Sequence, residues 1–108
     1  MNLIAGNINE INAICEAHHV SRLFVFGSVT TDHFNETSDV DLAVQFTKDI
    51  DPFLYFSNYM HLKTKMGKVF ERNIDLVEYD SIKNPVFRRI VDRDKLLVYD
   101  RTRREIPV

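Results

Sequence analysis

The chain has 108 residues, 44% hydrophobic and 28% charged, with a formal net charge of −2. That is enough for one folded domain with its own core, spanning residues 1–108, and too little for two. Its apolar runs are far shorter than the roughly 20 residues a bilayer-spanning helix needs, so no segment is expected to span a membrane.

The opening, MNLIAGNINE, lacks the basic start and apolar middle of a secretory signal, so a cytoplasmic protein is expected. Cys15 is the only cysteine, which rules out a disulfide framework and a thiolate zinc site. Charge is unevenly spread. Eight basic and three acidic residues between Lys83 and Arg104 leave that segment at +5 and the remainder at −7. This balance lacks the positive excess of a general nucleic-acid binder. The basic end suits either a solvated helix face and tail or a docking surface for an acidic partner.

Ile8, Ile11, Ile14 and Cys15 recur at helical spacing and predict a first helix ending near His19, with Cys15 in the core. Leu23 to Phe26 is a short β-type run stopped by Gly27. A polar loop from Thr30 to Ser38 follows, then a second strand from Val40 to Phe46. Asp51-Pro52 is a helix start, because aspartate caps free N–H groups and proline suits the first turn. Phe53, Leu54, Phe56, Met60, Leu62, Met66 and Phe70 continue it, with Gly67 expected to weaken or end it. Ile74 to Tyr79 is a third strand. Asn84-Pro85 opens a further helix with Val86, Phe87, Ile90 and Val91 inward. Leu96 to Tyr99 is a last strand, followed by a polar tail. The order α-β-β-α-β-α-β predicts an α/β (α+β) domain, a small mixed sheet packed with helices.

Two carboxylates, Asp39 and Asp41, sit one residue apart at the head of the second strand. Residues two apart in a strand point to the same face, so both project together while Val40 and Leu42 enter the core. Ionised carboxylates held this close repel unless a cation or protons offset the charge, and magnesium takes such hard oxygen ligands. A third acid, Asp75, lies between Ile74 and Leu76; if its strand pairs with that of Asp41, it reaches the same cluster. Three carboxylates from two strands suit two-metal phosphoryl or nucleotidyl transfer. Gly27-Ser28 supplies the phosphate end, since glycine permits close backbone approach and serine can donate to phosphate oxygens. The four histidines have no ligand-like spacing, and His18-His19 at a helix end suits its terminal carbonyls better than a metal.

As a set, Gly27-Ser28, the ten-residue spacer and Ser38-Asp39-Val40-Asp41-Leu42 resemble the signature of the DNA polymerase β-like nucleotidyltransferase superfamily. Asn73-Ile74-Asp75-Leu76-Val77 resembles its third-acid strand. Asn84-Pro85-Val86-Phe87, with Ile90 and Leu97-Val98-Tyr99, resembles its minimal nucleotidyltransferase (MNT) branch.

The resemblance implies a polymerase β palm-like fold. It implies that Gly27 and Ser28 contact nucleotide phosphates, and that Asp39 and Asp41 hold magnesium, two ions in all. Asp75 would complete one metal site and help deprotonate an acceptor hydroxyl. The attacked atom would be the α-phosphorus of ATP or another nucleoside triphosphate. The resemblance further implies a HEPN-domain toxin as partner, since some MNT proteins silence such a toxin by transferring AMP to a tyrosine. Homo-oligomerisation is a further possibility. Members of the family often carry an arginine and a glycine soon after Gly-Ser; here Val29-Thr30-Thr31-Asp32 stands instead, with no lysine or arginine from Thr30 to Phe46. Arg22, Lys48, Lys63, Lys65, Lys68 or the partner is left to meet the phosphate charge.

Two functions compete: a magnesium-dependent transferase acting on a protein, favoured by the acidic triad, and a catalytically weak protein that neutralises its partner by binding, favoured by the Val29–Asp32 departure. An aminoglycoside-type transferase would need an acceptor pocket that nine residues after Tyr99 cannot build.

Overall fold

A computed structural model of the chain describes residues 2–31, 35 and 37–104. The elements run α1 (Asn2–Ala5), α2 (Ile8–Ala17), β1 (Val20–Phe26), β2 (Val40–Phe46), α3 (Tyr55–Phe70), β3 (Ile74–Glu78), α4 (Pro85–Asp94), β4 (Leu96–Asp100) and α5 (Arg101–Arg104). Short 3-10 turns occupy Gly27–Thr30, Pro52–Leu54 and Tyr79–Ser81. The four strands form one sheet in the order β3-β2-β1-β4. β1 is antiparallel to both β2 and β4, while β2 and β3 run parallel. A parallel pair needs a crossover, and α3 is that crossover.

Strand alternation divides the core into two layers. Val40, Leu42 and Val44 of β2 join Leu23 and Val25 of β1, Ile74 and Leu76 of β3, Ile11 and Cys15 of α2, and Leu62, Met66 and Phe70 of α3. The opposite face is smaller: Phe24 and Phe26 of β1 and Ala43 of β2 pack with Val91 and Phe87 of α4 and with Val77 and Tyr79. Asp41 of β2 and Asp75 of β3 alternate with the apolar residues of the first face and so belong to this second face.

Capping follows the predicted chemistry at two helix starts. Asp51 Oδ1 accepts from the Phe53 N–H at 2.9 Å, and Asn84 Oδ1 accepts from Val86 and Phe87 at 2.9 and 3.1 Å. Gly67 does not end α3. The helix continues to Phe70 and closes on Glu71 in a left-handed conformation (φ 54°), and the N–H groups of Glu71 and Arg72 both reach the Gly67 carbonyl. That is a Schellman-type end, and Gly67 is its acceptor rather than a weak point.

Val86 and Ile90 were expected to point inward but are exposed, while Val91 is buried and Phe87 half-buried. Phe87 and Val91 are four apart and share one helical face; Val86 and Ile90 are turned about 100° from it, beyond the single layer α4 rests on. The start of the α3 region is similar: Phe53 is 95% and Phe56 71% exposed. Leu96 and Leu97 add to the uncovered apolar surface. Among the described residues no helix is long and apolar enough to cross a membrane.

The stretch after Tyr99 is not merely a polar tail. It forms α5, and Arg101 donates to the Val20 carbonyl at 2.8 Å and to the α2-end carbonyls of Cys15 and Glu16 at 3.4 and 3.1 Å. On the same helix, the His18 ring Nδ1–H donates to the Ile14 carbonyl at 2.7 Å, the terminal-carbonyl role expected of it. Arg101→Ala leaves those carbonyls without their charged donor, so it is expected to cost about 1.5–3 kcal/mol, the scale of charged hydrogen bonds. Urea unfolding of the two proteins measures this directly.

Candidate active site

β1 ends where Gly27 turns the chain with φ +76°, a conformation other residues adopt only under strain. The turn is held by its own threonines. Thr30 Oγ1 donates to the Gly27 carbonyl at 2.7 Å, and Thr31 Oγ1 to the Ser28 carbonyl at 2.9 Å. The Ser28 hydroxyl itself makes no hydrogen bond among the described residues.

The register then sets the carboxylates. Phe26 stands opposite Asp41 across the antiparallel pair, and Asp41 stands opposite Asp75 across the parallel pair. Asp41 and Asp75 are therefore neighbours on one face. Asp39 lies one residue before β2, near enough that its charge is felt at Asp41. Asp41 is half-buried; Asp39 and Asp75 are exposed.

Burial first, then the negative charges of Asp75 and Asp39, push the Asp41 carboxyl above its ordinary value. None of the three acids makes an ion pair or hydrogen bond through its side chain among the described residues. Among the described residues no three Asp, Glu, His or Cys side chains stand close enough together, as placed, to hold a metal ion. The trio is an open face of carboxylates with unmet negative charge.

Gly27 presses on this face. A Cβ at Gly27 would fall on Asp41 Oδ2 and come within 3.1 Å of its Cγ. Only glycine lets the turn backbone lie against the carboxylate.

The cations nominated from sequence are placed elsewhere. Arg22 pairs with Asp100 at 3.6 Å. Lys48 lies beyond the far end of β2, and Lys63, Lys65 and Lys68 are on α3, which packs on the other face of the sheet. Asp32 and His33 lie outside the described residues.

A cation that sequence reasoning passed over is beside the acids. Arg72 Nη1 donates to the carbonyls of Asn35 and Ser38 at 2.5 and 2.9 Å. With Thr37, Ser38, Asp39, Glu71 and Asn73 it lines an open cleft of about 380 Å³. Its position three residues before Asp75 is the one sequence signal that could have pointed to it.

Comparison with known proteins gives a consistent set of relatives. The family model described as polymerase beta, nucleotidyltransferase matches residues 9–104. A Methanocaldococcus jannaschii protein named as a candidate protein adenylyltransferase is 32% identical over 80 residues, 70% of this chain and 82% of that one. A solved structure of a candidate minimal nucleotidyltransferase superposes with TM-score 0.70 at 26% identity, covering 89% of this chain and 95% of that one. A chain from the complex of a tri-AMPylated Shewanella oneidensis HEPN toxin with an MNT antitoxin shares the fold, with TM-score 0.62 at 18% identity over 94% of this chain and 76% of that one.

Two outcomes follow from the site geometry. Gly27→Ala must rotate Asp41 aside and hold alanine at positive φ. It is expected to cost about 1–2 kcal/mol of stability, the left-handed penalty, while abolishing whatever activity needs Asp41 in place. Thermal melting beside a transfer assay separates the two effects.

The raised Asp41 pKa also fixes a sign. Between the ordinary value and the raised one, the native chain keeps a proton that the unfolded chain has released, so stability falls as pH rises through that window and the loss persists at neutral pH. In divalent-free buffer Asp41→Asn should therefore melt above the unsubstituted chain at about pH 7, with the gap closing as pH falls toward about 4. Melting curves across that range check it.

Proposed function

The chain belongs to the polymerase beta nucleotidyltransferase family, and on that premise we propose that it transfers AMP from ATP to a hydroxyl of a separate helical protein, a HEPN-type toxin that it thereby silences. The observation that carries this reading is the in-register pair Asp41–Asp75 beneath the Gly27 turn, with Asp39 alongside.

The donor chemistry suits a hard divalent cation: Asp41 and Asp75 stand opposite each other on paired strands with Asp39 just before β2, and a cation would draw the three oxygen donors together. Asp39, Asp41 and Asp75 would hold magnesium there, which when bound neutralises phosphate charge and aligns the attacking and leaving oxygens. Gly27 and Ser28 serve the triphosphate: Gly27 permits close backbone approach, and the Ser28 hydroxyl is free to donate. The acceptor oxygen bonds to the α-phosphorus as the bond to the β-phosphate oxygen breaks and pyrophosphate leaves. Asp75, the most outward of the strand acids, takes the acceptor proton.

The acceptor is a protein because the chain offers protein-binding surface. Phe53, Leu54, Phe56 and Met60 are exposed around the start of α3, and Val86, Ile90, Leu96 and Leu97 around α4 and β4. The second group lies in the +5 segment. The names of the relatives point the same way, toward protein adenylylation and an AMPylated toxin in complex. The single buried thiol suits a reducing cytoplasm.

A second reading, neutralisation by binding alone, is favoured by Val29-Thr30-Thr31 in place of the usual cation and glycine. Co-purification with the helical partner, followed by intact-mass measurement, decides between them. The expected result is an added AMP mass that requires ATP. Asp39→Asn should slow its appearance about 100- to 1,000-fold, the scale of losing one preorganised electrostatic contact, while the two proteins still co-purify. Neutralisation with no added mass identifies the binding protein instead.

A further inference from the structure

We infer that Arg72 is a positioning residue for Asp39: its guanidinium fastens the loop carrying Asp39 to the segment that leads into Asp75, and so sets the spacing of the two carboxylates. The significance of that spacing rests on the reading above, in which both acids hold a divalent cation.

Asp39 is exposed, outside the strand, and makes no side-chain hydrogen bond or ion pair among the described residues. What fixes it is the backbone on either side. Before it, the Ser38 carbonyl accepts from Arg72 Nη1 at 2.9 Å, and the same nitrogen reaches the Asn35 carbonyl at 2.5 Å. After it, the Val40 N–H donates to the Asn73 carbonyl at 3.0 Å. Both anchors come from consecutive residues, Arg72 and Asn73, and Asp75 follows two residues later.

Arg72 is itself well placed to act as a fixed post. It follows the left-handed Glu71, and its N–H bonds the Gly67 carbonyl at 3.3 Å, so the end of α3 sets where its side chain begins. The residues it grips are also bonded to one another. Ser38 N–H donates to the Asn35 carbonyl at 3.1 Å, Asn35 N–H to Ser38 Oγ at 3.1 Å, and Thr37 N–H to Asn35 Oδ1 at 2.9 Å. Asn35, Thr37 and Ser38 are thus bonded to one another, and Arg72 ties Asn35 and Ser38 to the segment leading into β3. Like charges on Asp39, Asp41 and Asp75 push the loop outward; the charged donor on two carbonyls opposes that push.

The test uses the full chain, manganese as the probe ion, and amide hydrogen exchange. Arg72→Gln should raise the dissociation constant for manganese about tenfold, the lower end of what an outer partner of a ligand contributes. It should also speed exchange of the Val40 amide. Arg72→Lys, which can still donate to one carbonyl, should recover part of both. In an Asp39→Asn background Arg72→Gln should add no further loss of manganese affinity. Independent, additive losses overturn the proposal, as does unchanged Val40 exchange in a folded Arg72→Gln chain. If Asp39→Asn leaves manganese binding untouched, the metal reading fails on its own account, and the Val40 exchange rate still decides whether Arg72 fixes this loop: acceleration upholds it and no change overturns it. Should Arg72→Gln fail to fold, the same measurements on Arg72→Lys decide in the same way.

Discussion

Asp41 and Asp75 are held opposite each other on paired parallel strands, and the mutual repulsion of that pair is the constraint the rest of the fold answers. Antiparallel strands could be joined by a tight turn, but a parallel rung needs a crossover, and here the crossover is the longest helix of the chain. α3 buries Leu62, Met66 and Phe70 against Val40, Leu42, Val44, Ile74 and Leu76. Val40 and Leu42 flank Asp41, and Ile74 and Leu76 flank Asp75. Tyr59 of the same helix donates its hydroxyl to the Leu76 carbonyl, next to Asp75. Apolar burial on one face of the sheet thus clamps the two strands whose carboxylates repel on the other.

The two faces divide the work unequally. The α2–α3 side carries most of the fully buried side chains. The α4 side is thin: Phe87 meets Phe26 edge-on, with ring centroids 6.0 Å apart, and Val91 sits over Phe24 and Ala43. This thinness has a chemical use. A second full layer would bury three carboxylates without partners, at a cost no small core could offset. Leaving the sheet end uncovered keeps Asp39 and Asp75 in water and half-buries only Asp41.

Much of this was legible in the sequence because strand alternation and punctuation coincide. β2 runs from Val40 to Phe46 as its pattern predicts, since Val40, Leu42, Val44 and Phe46 alternate with Asp41, Ala43 and Gln45 between Asp39 and Thr47. Gly27 was legible as a stop but not as a contact; that it abuts Asp41 depends on register between residues fourteen apart. The short helices α1 and α5 lack the length for periodicity to appear. The outward turn of Val86 and Ile90 was hidden for a different reason: an apolar residue carries no mark of whether its cover is in the same chain. Arg72 was invisible because its partners are backbone carbonyls, which every residue has.

The same accounting locates the charge deficit of the site. Arg22 is engaged with Asp100, Arg101 with the end of α2, and Arg72 with the carbonyls of Asn35 and Ser38. These are structural uses: Arg22 and Arg101 are engaged away from the acids, and Arg72, although beside Asp39, spends its hydrogen bonds on carbonyls. No described lysine or arginine is left paired with Asp39, Asp41 or Asp75. A triphosphate brought to that face adds negative charge to negative charge. Under the proposed transfer, a divalent cation between carboxylates and phosphates, or a basic side chain of the proposed acceptor, would offset that charge.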